Sequence, residues 1–224
     1  PTNAYSDNPT LKAAARTEVI IDGCDLTSIK QVYGAGNAAP VPATSLTVNS
    51  AYEIEEVFGG GNGKDNYQLS DGKWYENPGA NVGYDNFTHN VKSGTGYNPA
   101  THGTGDQATP YKAVVNDDAT NKDYRQAYYM YGEGEARTDV IGGRIHYVFG
   151  GSNEKGNIST LALSVYENSV DCPVVTDKTY GAGKNAEVDA ETTVSMQCID
   201  WVGRHFGGST NADVNSDVVL NITN

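Results

Sequence analysis

The sequence predicts an all-β protein, a right-handed parallel β-helix (β-solenoid) carrying one long loop insertion. Three observations lead there. An aromatic residue running into a glycine turn recurs six times: Tyr33-Gly34-Ala35-Gly36-Asn37, Phe58-Gly59-Gly60-Gly61-Asn62, Tyr131-Gly132-Glu133-Gly134, Phe149-Gly150-Gly151-Ser152-Asn153, Tyr180-Gly181-Ala182-Gly183 and Phe206-Gly207-Gly208-Ser209. Successive aromatics are 25, 73, 18, 31 and 26 residues apart, and the values near 25 suit one coil of a solenoid that buries its apolar face against the next copy. With 26 Gly and 15 Tyr against 2 Met, the composition favours turns and strands over helices. Tyr and Phe forms alternate, which reads as three double units.

Taken in order, residues 1–17 read as a leader or a cap. Strand signals begin at Glu18-Val19-Ile20-Ile21, pass an Asp22-Gly23 break and resume at Ile29-Lys30-Gln31-Val32 before Tyr33. Later copies share the grammar: Leu46-Thr47-Val48, Asn49-Ser50, Ile54-Glu55-Glu56-Val57; then Val140-Ile141, Gly142-Gly143, Ile145-His146-Tyr147-Val148; then Val194-Ser195-Met196, Ile199, Val202. Period-2 alternation in Leu46-Thr47-Val48 and Val194-Ser195-Met196 implies one buried face. An Ile and a Val three residues apart cannot both point inward along a straight strand, so a bend is expected between them. Asn37, Asn62 and Asn153 share one offset after the aromatic and are expected to stack as an amide ladder. The repeats thus occupy 18–62 and 127–224, and 63–126 is the insertion.

The segments Val32-Tyr33-Gly34-Ala35-Gly36-Asn37-Ala38 and Val57-Phe58-Gly59-Gly60-Gly61-Asn62, with the strands Ser45-Leu46-Thr47-Val48 and Thr192-Thr193-Val194-Ser195-Met196, resemble the repeats of very long surface proteins of Gram-negative gut anaerobes. The resemblance covers roughly 18–62 and 127–224. It implies a secreted or cell-surface β-solenoid, extracellular at the outer membrane of such a bacterium, adhesin-like and with no established activity. Departures at Glu133, Glu135 and Lys184 suggest irregular coils. A kelch-like β-propeller fragment is the alternative, because Arg144-Ile145-His146-Tyr147-Val148-Phe149-Gly150-Gly151 with Tyr166 downstream is similar to a propeller blade. A closed threefold β architecture is a further one, disfavoured by the unequal spacings.

The insertion is rich in Gly, Asn, Thr and aromatics, among them Trp74, Tyr75, Tyr84, Phe87, Tyr97 and Tyr111, set among turn signals at Asp71-Gly72, Asn77-Pro78-Gly79 and Asn98-Pro99. A long loop of this kind is functional or packed on itself. Its rings either clip it to the solenoid flank or form a ligand platform, for which Trp74, Tyr75, Tyr84 and Tyr97 are the candidate residues.

With 28 acidic against 15 basic residues the net charge is −13, so the basic footprint of a nucleic-acid binder is missing. No run approaches the roughly 20 apolar residues of a membrane span. The chain starts at Pro1 and closes on strand-like residues 217–224, which reads as a piece of a longer protein. Cys24, Cys172 and Cys198 form no CxxC pair, and Cys172 and Cys198, 26 apart, are expected to stack as buried thiols in adjacent coils, with a disulfide or a redox role as the alternative. Gly60 to Gln68 matches the GGxGxDxUx calcium nonapeptide once, where that motif works in tandem; no metal or cofactor is assigned.

Catalytic signatures are sparse. His89, His102, His146 and His205 stand in unrelated contexts, and neither HExxH nor GxSxG occurs. His146 and His205 are expected at exposed or turn-lining positions. Glu53, Glu55 and Glu56, like Glu133 and Glu135, include pairs on one strand face that glycoside hydrolysis could use at a suitable separation, although charged positions on the outward face of a strand explain them with less. The expectation is a non-enzymatic surface or secreted module with a glycan or a surface protein as partner. The alternatives are a carbohydrate-active β-helix enzyme, meaning a polysaccharide lyase or glycoside hydrolase, or a structural stalk spacer.

Overall fold

The computed structural model describes residues 16–37, 41–63, 65–77, 79–82, 88–90, 97–115, 135–158, 160–168, 172–189 and 191–223, with backbone alone at 24–25, 88–90 and 113–115. It is a β-solenoid of about six turns. Strands β1 (Thr17–Tyr33) and β2 (Thr44–Phe58) each run along two sides of the first and second coils. The third coil uses β7 (Glu135–Val140) and β8 (Gly143–Phe149), and the fourth β9 (Thr160–Tyr166) and β10 (Val174–Tyr180). The fifth uses β11 (Thr192–Gln197) and β12 (Trp201–Phe206), and β13 (Val218–Thr223) opens the sixth.

One side stacks the first halves of β1 and β2, then β7, β9, β11 and β13. The second stacks their latter halves, then β8, β10 and β12. Every pairing within this nine-stranded sheet is parallel, so the radial antiparallel blades of a propeller are ruled out. A short third side is marked by the bridges Val41↔Val82, Val82↔Ile158 and Val188↔Val214.

The strand grammar explains the core. Leu46, Val48, Val140, Leu163, Val165, Val194 and Met196 point inward from the first side, and their neighbours along the strands are more exposed except beside Val140, where Asp139 and Ile141 are buried as well. On the second side Ile54 and Val57 are both fully buried, as are Ile145 and Val148, because the strand bends and turns two consecutive residues outward between them. Burying each such aliphatic side chain is worth about 1.5–3 kcal/mol. Val41, Val82, Ile158 and Val188 close the interior from the third side.

Each second-side strand ends at an aromatic, and these rings stack face to face outside the aliphatic core. Centroids lie 5.0 Å apart for Tyr33–Phe58, 4.8 Å for Phe58–Phe149, 4.8 Å for Phe149–Tyr180 and 4.9 Å for Tyr180–Phe206, with planes within 12° of parallel. Phe58 therefore rests directly on Phe149, with no ring between them. The expected strict alternation of Tyr and Phe fails in this ladder, which reads Tyr, Phe, Phe, Tyr, Phe; Tyr131 itself lies outside the described residues.

The glycine after each ring is there for close approach. A Cβ on Gly59 would sit 2.3 Å from the Gly150 carbonyl oxygen, and one on Gly34 would sit 2.3 Å from that of Gly59. The next turn residues form the amide ladder: Asn62 Nδ2 donates to Asn37 Oδ1 (2.7 Å), and Asn153 Nδ2 to Asn62 Oδ1 (2.9 Å). One position further on, Asn185 Nδ2 donates to Glu154 Oε2 and Asn211 Nδ2 to Asn185 Oδ1.

Of the cysteines, Cys172 is disulfide-bonded and Cys198 is a free, exposed thiol with φ +48°. The stacked pair of buried thiols is thus not formed, since the left-handed corner at Cys198 leaves that side chain exposed.

Candidate functional site

Residues 63–126 do not lie apart from the coils throughout. Gly79 to Val82 joins the third side, with Val82 N donating to Asn157 O (2.9 Å) and Ala80 N to Lys155 O (3.1 Å). Before it, β3 (Tyr67–Gln68) and β4 (Trp74–Tyr75) make a small antiparallel hairpin around the Asp71-Gly72 turn, where Gly72 has φ +75°. After it come β5 (Thr88–Asn90), the helical turn α1 (Pro99–His102) and β6 (Ala113–Val115). Asn98 caps α1 by accepting from Ala100 N at 3.0 Å, as an Asn before Pro at N1 favours. The buried Asn77 fastens the excursion to the stack: its Nδ2 donates to Asn37 O and Asp65 O, both at 3.1 Å, and its own carbonyl accepts from Lys155 Nζ.

The predicted platform residues fall in different surroundings. Tyr75 is 3 % exposed, stacked on Tyr67 (5.7 Å) and tilted against Tyr111 (5.4 Å), with its hydroxyl donating to Asp71 Oδ2. Tyr97 is partly buried, packs edge-on to Tyr111 and against the His102 ring, and donates to Gly103 O. Trp74 is also partly buried, and its backbone bridges Gly105 and Tyr111. Tyr84 lies outside the described residues. Tyr75, Tyr97 and Tyr111 therefore form one cluster of rings.

A second constellation sits on the outward side of β2, β8 and β10. His146 Nδ1 is 2.6 Å from Asp177 Oδ2, and its Nε2 is 2.8 Å from Glu53 Oε1. Two carboxylates facing both ring nitrogens can each receive a hydrogen bond only from the imidazolium. Asp177 first, and Glu53 next, accordingly raise the His146 pKa against a smaller opposing effect of burial. The three side chains belong to the second, third and fourth coils, so the pair of bonds clamps across three turns. Beside it lies a cleft of about 520 Å³, lined by Ser28, Lys30, Glu53, Glu55, His146 and Tyr147. Glu56 is separately engaged: Lys184 Nζ donates to its Oε1 at 2.5 Å and Gln31 Nε2 to its Oε2 at 2.7 Å.

His205 does not follow expectation. It occupies the inward column of Val32, Val57, Val148 and Thr179, bonds Thr179 Oγ1 through Nδ1 (2.7 Å), and burial lowers its pKa. Its distance from Val202 matches that of Val57 from Ile54, a signal the sequence carried. Among the described residues no group of three or more His, Cys, Asp or Glu is arranged to hold a metal ion, and no helix is long and apolar enough to cross a membrane. No protein-family model, no curated protein and no solved structure matches the chain.

The clamp makes stability pH-dependent with a definite sign. A histidine whose folded pKa is raised stabilises fully below its unfolded value of about 6.5, and that contribution is lost as pH rises through the folded value. The melting temperature should fall as pH is raised from neutrality, and His146→Gln should flatten that fall; an identical slope in both proteins would remove the clamp from the account.

Proposed function

We propose that this chain is a non-enzymatic cell-surface or secreted repeat module that binds a glycan or a surface protein weakly through its insertion. One observation carries the reading. The insertion builds an ordered cluster of rings of its own, anchored to the coils by Asn77, while the aromatics that end the second-side strands, and the amides of the turns after them, are taken up in stacking on each other. Next to that cluster in sequence and joined to it by its backbone, Trp74 retains accessible surface and carries a polar N–H beside an apolar face, the combination that suits sugars and polypeptides alike. The turn motifs' resemblance to surface proteins of Gram-negative gut anaerobes supports an outer-surface location, and the disulfide at Cys172 agrees with an oxidising compartment.

A stalk spacer is the second reading, and the burial of Tyr75 favours it. A glycan array run beside a hydrolysis screen separates these. Trp74→Ala should weaken any captured ligand about tenfold with the melting temperature unchanged, and no polysaccharide should be cleaved. If the unmodified protein captures nothing, the spacer reading stands; turnover would point to an enzyme instead.

A further inference from the structure

We propose a second glycan-binding track, on the outward face of the second side, that starts at Trp201 and runs along the solenoid axis toward Lys30. It rests on the glycan part of the proposed function, but uses none of the insertion. The starting observation concerns Gly203. A Cβ there would lie 2.7 Å from Trp201 Cη2 and 3.1 Å from Cζ2, so the six-membered edge of the indole lies across this glycine. The indole nevertheless stays 50 % exposed. An aromatic ring laid down on backbone with its other face open is a stacking platform for the C–H face of a pyranose.

Register sets the side chains that line the track beyond the platform. Gly203 pairs with the position of Asp177, since Thr176↔Val202 and Lys178↔Arg204 flank them. Asp177 lies level with His146, because Thr176↔Ile145 and Lys178↔Tyr147. His146 lies level with Glu55 and Glu55 with Lys30, by the flanking pairs Ile54↔Ile145, Glu56↔Tyr147, Ile29↔Ile54 and Gln31↔Glu56. One polar side chain per coil thus continues from the indole at about 4.8 Å intervals, and the row ends in the 520 Å³ cleft.

The charges choose the ligand. Along the row an acid, an imidazolium, an acid and an ammonium succeed one another, with the Glu53 carboxylate beside them. Carboxylate oxygens accept from hydroxyls and Lys30 donates, while the three carboxylates of Asp177, Glu55 and Glu53 oppose a polyanion along this row. The His146 clamp consumes only one oxygen of Asp177 and one of Glu53, so each keeps another for a ligand. The fitting occupant is a neutral oligosaccharide lying across the coils, its terminal ring on Trp201.

The chain has two tryptophans, so Trp74→Phe leaves Trp201 as its one indole. In that variant, titration with neutral hexasaccharides of β-1,4-glucose, β-1,4-mannose and α-1,4-glucose should shift or quench indole emission for at least one of them. Calorimetry on Trp201→Ala should show about tenfold weaker binding, with Trp201→Phe in between and the melting temperature unmoved. Binding lost in Trp74→Ala but untouched in Trp201→Ala would overturn this track and leave the insertion reading standing. The converse pattern supports the track and removes the insertion as the binding surface. Failure of all three sugars, or binding of polygalacturonate alone, would overturn the track.

Discussion

Phe149→Ala should be among the most damaging single substitutions in the ring stack, at about 3–5 kcal/mol. Phe149 is 2 % exposed and touches a ring on each face, Phe58 and Tyr180 at 4.8 Å apiece. Removing it opens a cavity between two aromatics that cannot close on one another without moving whole coils. Phe206 is the control. It is 41 % exposed and stacks on Tyr180 alone among the described rings, so Phe206→Ala should cost less than half as much. Urea unfolding followed by circular dichroism measures both, and equal losses would mean that the stack does not act as a ladder.

Adding a single methyl group should be nearly as costly where two coils come closest. Gly59→Ala places a Cβ 2.3 Å from both Gly150 O and Thr138 Oγ1, and a backbone carbonyl in a parallel sheet cannot step aside alone. The expected loss is about 3 kcal/mol, the upper end for overpacking. Gly207 holds the equivalent position in the fifth coil, yet a Cβ there meets only Val218, at 3.1 Å. Gly207→Ala should stay under about 1 kcal/mol. Because repeat arrays gain stability from neighbouring interfaces, the contrast also tests whether the central coils carry the fold. Comparable effects at the two sites would assign the glycines to turn conformation, not to coil spacing.

Much of the architecture is legible because it repeats locally. The aromatic-glycine turn, the pair of inward residues three apart and the Asn offset each recur within about 25 residues, and all three became columns in the fold. What the chain order hides is where a coil ends when the chain leaves the stack. The 91 residues from Phe58 to Phe149 contain Tyr131-Gly132, a local match to the anchor, yet the rings of Phe58 and Phe149 are in contact. Loop-closure entropy grows only with the logarithm of loop length, so a long excursion between two coils is tolerated without any periodic mark. The Glu53–His146–Asp177 clamp was equally hidden, its members 93 and 31 residues apart and adjacent only through register. Tyr75 shows the reverse: its turn-rich context suggested a surface ring, and its packing between Tyr67 and Tyr111 comes from backbone bonds joining Trp74 and Glu76 to Tyr111.

The amide ladder also bears on how the protein ages. Asn62 precedes Gly63, the dipeptide most exposed to spontaneous deamidation, in which the glycine nitrogen attacks the asparagine side-chain carbonyl. Here that nitrogen donates to Asn37 O at 2.8 Å, while the Asn62 amide is held by Asn37 on one side and Asn153 on the other. Both reacting groups are tied to neighbouring coils and cannot reach one another until the coils part. Were the reaction to occur, the new carboxylate would face Asn37 Oδ1 with an acceptor in place of a donor, cutting the ladder where the chain first leaves the stack. Chemical lifetime at this position is therefore set by how often the first and second coils separate, and the intact ladder is its own preservative.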